Sequence, residues 1–204
     1  MRRPAPAPHA ARPLAAGCLG ASAMVTQLVL MREALNAFSG DETALGLLLG
    51  NWLFLTGMGA LIGRWAAGRR ARTVLFLCQA LAALLPPAMV FALRAWRSPG
   101  LAPGVDPGPA GEFLVTLALL TPYGLASGAF LAVAAAALTQ RDGPAGIGRI
   151  YLADTLGAIL GGGAFTFLLA SQADPFTALG IAGFANLGAA GLAAVREQRP
   201  AAAA

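Results

Sequence analysis

Six long apolar runs occupy most of this chain: Leu14 to Met31, Ala44 to Gly63, Thr73 to Leu93, Phe113 to Leu138, Ile150 to Ala170 and Phe176 to Val195. A helix rises about 1.5 Å per residue and the hydrocarbon layer is about 30 Å thick, so each run is long enough to cross a bilayer. Composition agrees. Hydrophobic residues make up 57% of the 204 and charged residues 11%, against about 25% charged in a typical soluble domain, and the mean hydropathy is +0.68. A β-barrel would show short alternating segments instead of continuous runs. The expected fold is therefore all-α: one polytopic domain of six transmembrane helices over 14–195, between loosely ordered tails at 1–13 and 196–204.

All 14 cations are arginines, and they fall between the runs. Arg2, Arg3 and Arg12 precede the first run; Arg64, Arg69, Arg70 and Arg72 follow the second; Arg141 and Arg149 separate the fourth and fifth; Arg196 and Arg199 follow the sixth. Only Arg32, Arg94 and Arg97 fall on the other side. By the positive-inside rule both termini are expected in the cytoplasm, with the chain multi-pass in the inner membrane. This scatter is a topology signal and not a nucleic-acid patch, so nucleic acid is not an expected partner. The apolar stretch continues past Cys18 to Met31, which reads as an uncleaved first helix and not a secretory signal. Cys18 and Cys78 read as buried thiols; neither a disulfide nor a metal site is expected.

The proline-rich connection from Ala95 to Gly111 divides the runs three and three. That division is compatible with an inverted repeat of the kind found in transporters, although no residue-level identity is read between the halves. Glycines at 57, 59, 63, 124, 128, 157 and 161–163 mark expected helix contacts, because packing in lipid depends on close backbone approach.

Polar residues inside the runs are the candidate functional groups, since an ion at a helix centre costs roughly 2.5–3.5 kcal/mol on insertion scales. Gln27, Arg32, Glu33, Asp41, Glu42 and Asn51 gather around the first helical hairpin, where they would form an ion-pair network fixing that hairpin or a substrate or ion site. Arg32 and Glu33 point about 100° apart, so only one can face the core squarely. Asn186 is expected to hydrogen-bond across helices. With helix five entering at Ile150, Asp154 would lie about 6 Å below the surface, within reach of a snorkelling arginine. Arg149, Arg64 and Arg69 are candidates. The five-residue spacing to Arg149 is poor for a same-helix pair, which favours a structural pairing of Asp154 with Arg64. A proton or cation relay is the other reading.

Three stretches together resemble a known family. "TQLVLMREALNAFSGDETALGLLLGNWL" is similar to the first hairpin of the integral-membrane domain of spermidine synthase-like proteins, the membrane-bound polyamine aminopropyltransferases. "GIGRIYLADTLGAILGGGAFTFLL" resembles that domain's later Gly-x-x-Tyr-x-x-Asp/Asn-Thr-x-Gly-Ala segment, and "LLTPYGLASGAFLAVA" its fourth helix. "GALIGRWAAGRRAR" looks like a degraded major facilitator signature, with Gly63 where an acid is usual. The resemblance spans about residues 14 to 190 and implies a six-helix, facilitator-like half. Gln27, Arg32, Glu33, Glu42, Asn51, Tyr151 and Asp154 match the pattern. Family members usually continue into a methyltransferase-like domain that binds decarboxylated S-adenosylmethionine and polyamine. The chain reaches Ala204 without such a segment, so no catalytic residue and no cofactor is carried over.

The expected function is a non-catalytic membrane domain that anchors, or channels for, a separate synthase or methyltransferase-like domain. The alternatives are a small transporter for a polyamine or other cation, working as a homodimer of six-helix halves, and a purely structural assembly subunit. The lipid bilayer is the one partner common to all three.

Overall fold

The computed structural model describes residues 11–38, 40, 42–66, 71–96 and 107–198. The tails 1–10 and 199–204, Asp41, Arg69, Arg70 and residues 97–106 of the proline-rich connection lie outside them. The helices are α1 (Ala11–Ala37), α2 (Glu42–Ala66), α3 (Ala71–Trp96), α4 (Gly108–Asp142), α5 (Ala145–Ala164) and α6 (Pro175–Gln198), with a π turn over Phe165–Leu169 closing α5. All six are long and apolar enough to cross a membrane, so this is an all-α, multi-pass membrane protein. The helices outrun their apolar cores. α1 begins at Ala11, with Pro13 tolerated in its first turn, and α6 continues to Gln198.

Side-chain size decides which helices touch. The two most extensive contacts join α2 to α4 and α1 to α5, and both rest on glycine. A β-carbon on Gly59 or Gly63 would collide with the backbone of Leu125 or Ala129, and one on Gly128 with the Thr56 carbonyl. At the other pair, a β-carbon on Gly157 or Gly161 would collide with the Gly17 or Ala21 carbonyl, and one on Gly20 with the Asp154 carbonyl. Backbones this close leave no room for any side chain, which is how helices associate without a hydrophobic drive.

These two contacts are one contact made twice. Exchanging α1 with α4, α2 with α5 and α3 with α6 turns the first set of collisions into the second, residue for residue: Gly59 and Gly63 become Gly157 and Gly161, Gly128 becomes Gly20, and Thr56 becomes Asp154. The α3–α4 and α1–α6 contacts exchange in the same way. α1 starts where α4 ends, with Arg12 Nη1 donating to the Ala137 carbonyl at 3.1 Å, so the two halves are inverted. Between them Gln79 and Asn186 form a reciprocal pair. Gln79 Nε2 donates to Asn186 Oδ1 at 2.9 Å and to its carbonyl at 3.3 Å, while Asn186 Nδ2 donates back to the Gln79 carbonyl at 3.2 Å. A residue-level repeat is therefore present after all: "TGMGALIG" at 56–63 aligns with "DTLGAILG" at 154–161.

α2 and α5 are the least covered helices. Their outer faces carry Leu53, Phe54, Leu61 and Trp65 on one, and Leu152, Ile159, Leu160 on the other. The interior is filled by Leu19, Leu30, Leu48, Leu93, Leu120, Phe130 and Ile150, together with Tyr123, which packs against Trp52 at 5.0 Å between ring centres.

Candidate functional site

The polar residues divide into ties between helices and an acid, Asp154, without such a tie among the described residues. At the end away from the chain termini, Glu33 turns inward and is 6% exposed, while Arg32 takes the exposed flank and donates to the Ala170 carbonyl at 3.3 Å. Both carboxylate oxygens of Glu33 accept from Arg94 of α3, Nε to Oε2 at 2.7 Å and Nη2 to Oε1 at 2.8 Å. This planar bidentate geometry is the strong form of a charged hydrogen bond. The Arg94 guanidinium also lies over the Phe176 ring, 5.2 Å from its centre. Asp174 starts α6 next to this pair. Its Oδ1 accepts the backbone N–H groups of Phe176 and Thr177 at 2.8 and 3.0 Å, and its Oδ2 accepts the Thr177 hydroxyl at 2.6 Å. The hydroxyl and those backbone donors hold the Asp174 carboxyl below the usual carboxylate range.

The expected hairpin network is thus redirected. Glu33 ties α1 to α3 instead of to α2. Asn51 is buried and ties α2 to α4: its Nδ2 donates to Thr116 Oγ1 at 2.8 Å and to the Phe113 carbonyl at 3.0 Å. Glu42 is exposed at the start of α2, and Gln27 is half-buried on α1. The physical reason is that α1 and α2 make few contacts with each other, since each is drawn to the helix that offers it glycines.

Asp154 and Arg64 are not brought together. α2 packs on α4 while α5 packs on α1, and the Arg64 guanidinium lies over the ring of its neighbour Trp65 at 5.6 Å. Arg149 is engaged by Asp142 at 2.7 Å. Depth changes as well. α5 begins at Ala145, so Asp154 lies nine residues in, roughly 14 Å along the axis. Its Oδ1 rests against Gly20, 2.8 Å from where a β-carbon would stand. No hydrogen bond or ion pair reaches its carboxylate among the described residues. Tyr123 of α4 lies within electrostatic reach, with its buried hydroxyl also lacking a hydrogen-bond partner among the described residues. Thr26 stands beside that hydroxyl but donates its own proton to the Ser22 carbonyl at 2.7 Å. Tyr151, one turn before Asp154 on α5, is exposed.

Gln79, Thr116, Tyr123 and Arg94 are polar partners that the sequence pattern alone does not single out. An amide or phenol in the middle of an apolar run was the available signal. A cavity of about 270 Å³ opens between α1, α3, α4 and α6 where the chain begins, with Arg12, Arg72, Thr73 and Gln79 on its polar side and Phe76 and Phe130 on its apolar side. No group of three or more histidine, cysteine, aspartate or glutamate residues suited to a metal occurs among the described residues. In comparisons with known proteins, no family model, no curated protein and no solved structure matches this chain.

Proposed function

We propose that this chain is a non-catalytic inner-membrane domain of the spermidine synthase-like kind, with both termini in the cytoplasm, which holds a separate synthase domain at the membrane. The observation that carries the reading is the use made of the residues of the resemblance: Glu33 and Asn51 are consumed as ties between helices, through Arg94 and Thr116. Such ties suit a rigid platform. Co-expression with a spermidine synthase-type soluble domain encoded beside this chain tests it. The soluble domain is expected to fractionate with membranes only when this chain is present, and the purified chain alone is expected to form no spermidine. A soluble domain that stays in the cytosol in both cases overturns the reading.

A second reading, a six-helix transporter half for a polyamine or other cation acting as a dimer, is favoured by the inverted three-plus-three arrangement, which is how many transporters build two alternating states around one site. Uptake of labelled spermidine by proteoliposomes containing only this chain would support it over the first.

A further inference from the structure

Asp154 is an acid whose presence packing among the described residues does not explain. The inverted repeat supplies an internal control. Thr56 occupies the equivalent position on α2, with its carbonyl under Gly128 as that of Asp154 lies under Gly20, so this kind of contact closes without an acid. An acid at this depth is costly and is found in membranes facing a counter-charge or a wet cavity. Asp154 lines none of the cavities bounded by Arg12 and Gln79, by Leu85 and Pro122, or by Glu33 and Arg94, and no counter-charge among the described residues pairs with it.

The elements packed against α5 are α1 and α4. α1 presents Gly17, Gly20 and Ala21 to α5; its titratable and charged groups are Cys18 nearby and Arg12, Arg32 and Glu33 towards its ends. α4 presents Tyr123, with Glu112 near one end and Arg141 and Asp142 at the other. The remaining side of α5 is uncovered. Tyr151, Leu152, Thr155, Leu156, Ile159 and Leu160 are exposed on it, and Asp154 stands half-buried at its edge.

We propose that the uncovered face of α5 docks a transmembrane helix of another protein that carries a lysine or arginine near its middle, with Asp154 as the counter-ion and Tyr151 flanking the cation. Charge complementarity selects this occupant over a second copy of the chain, because no arginine of this sequence stands in the middle of an apolar run. The exposed tyrosine one turn away offers both a hydroxyl and a ring face to a cation. The apolar side chains around it suit a helix and not a hydrated loop. The inference stands apart from the synthase reading, since helix association is measured with no enzyme present.

The test uses the full chain in lipid nanodiscs and a fluorescent polyleucine transmembrane helix with one central lysine, followed by energy transfer. The lysine helix is expected to associate about tenfold more tightly than an all-leucine helix, the scale of a good polar pair in a membrane. Asp154→Asn is expected to remove that advantage and Asp154→Glu to keep most of it. Moving the lysine to the end of the helix is expected to abolish it, a comparison made on the unmodified chain and therefore independent of how any variant folds. Equal binding of the lysine and leucine helices, or full binding by the end-lysine helix, overturns the proposal. So does self-association of the chain through α5 that shuts out both helices.

Discussion

The α2–α4 and α1–α5 contacts are built from the same glycines in the same order, yet one carries Thr56 where the other carries Asp154. The comparison separates what the fold requires from what it only tolerates. Glycine at 59, 63 and 128, and again at 157, 161 and 20, is required, because each meets the backbone of the opposite helix. The residue whose carbonyl the third glycine covers is free to vary, and its side chain falls at the edge of the contact. An acid there has to be accounted for by something other than packing.

The largest effect that would break the comparison is expected at the glycines. Gly128→Leu and Gly157→Leu should each cost about 3 kcal/mol or more by forcing backbones apart, and by about the same amount if the two contacts are equivalent. Gly46→Leu, where nothing lies within 4 Å of an added β-carbon, serves as the neutral control. Thermal unfolding in detergent reads all three, and a large loss for only one of the first two would end the equivalence. Transplanting the acid comes next: Thr56→Asp should cost about 2.5–3.5 kcal/mol, the insertion cost of a central acid.

Legibility followed the range of the physics. The six spans were readable because an apolar run of sufficient length is a local property. The neighbours of each helix were not, since residues facing lipid and residues facing the core are both apolar and leave no amphipathic stripe to follow. The partner of Glu33, Arg94, lies two helices away for that reason. Asp154 was placed too shallow because α5 extends outward through Gly146, Gly148 and Arg149, residues that end an apolar run without ending a helix. The repeat between 56–63 and 154–161 was hidden by composition, for in a chain with 26 glycines a few aligned ones carry little weight until their contacts are seen.

Smaller effects sharpen the contrast between the helix ends and the middle. Glu33→Gln leaves Arg94 without its carboxylate, and because the Arg94 side chain is 49% exposed the cost is expected at about 1–2 kcal/mol, below the 3–5 of a fully buried pair. Asp174 should show a pH signature. Its carboxyl titrates below the ordinary value, so its contribution is complete above the unfolded value of about 3.9 and disappears as pH falls through the lower folded one. Asp174→Asn keeps a capping side chain but loses the charge. Its stability relative to wild type should therefore change across that acidic window and stay constant above it, and a difference that grows towards neutral pH would place the effect elsewhere.

The measurement that reaches the central claim most directly is the melting temperature of Asp154→Thr in nanodiscs, which gives α5 the residue that α2 already has. If the acid is surplus to packing, the variant melts at or above the wild-type temperature while its lysine-helix association falls to the all-leucine level. A variant that melts several degrees lower would mean that Asp154 holds the α1–α5 contact together, and that the two contacts are not the same.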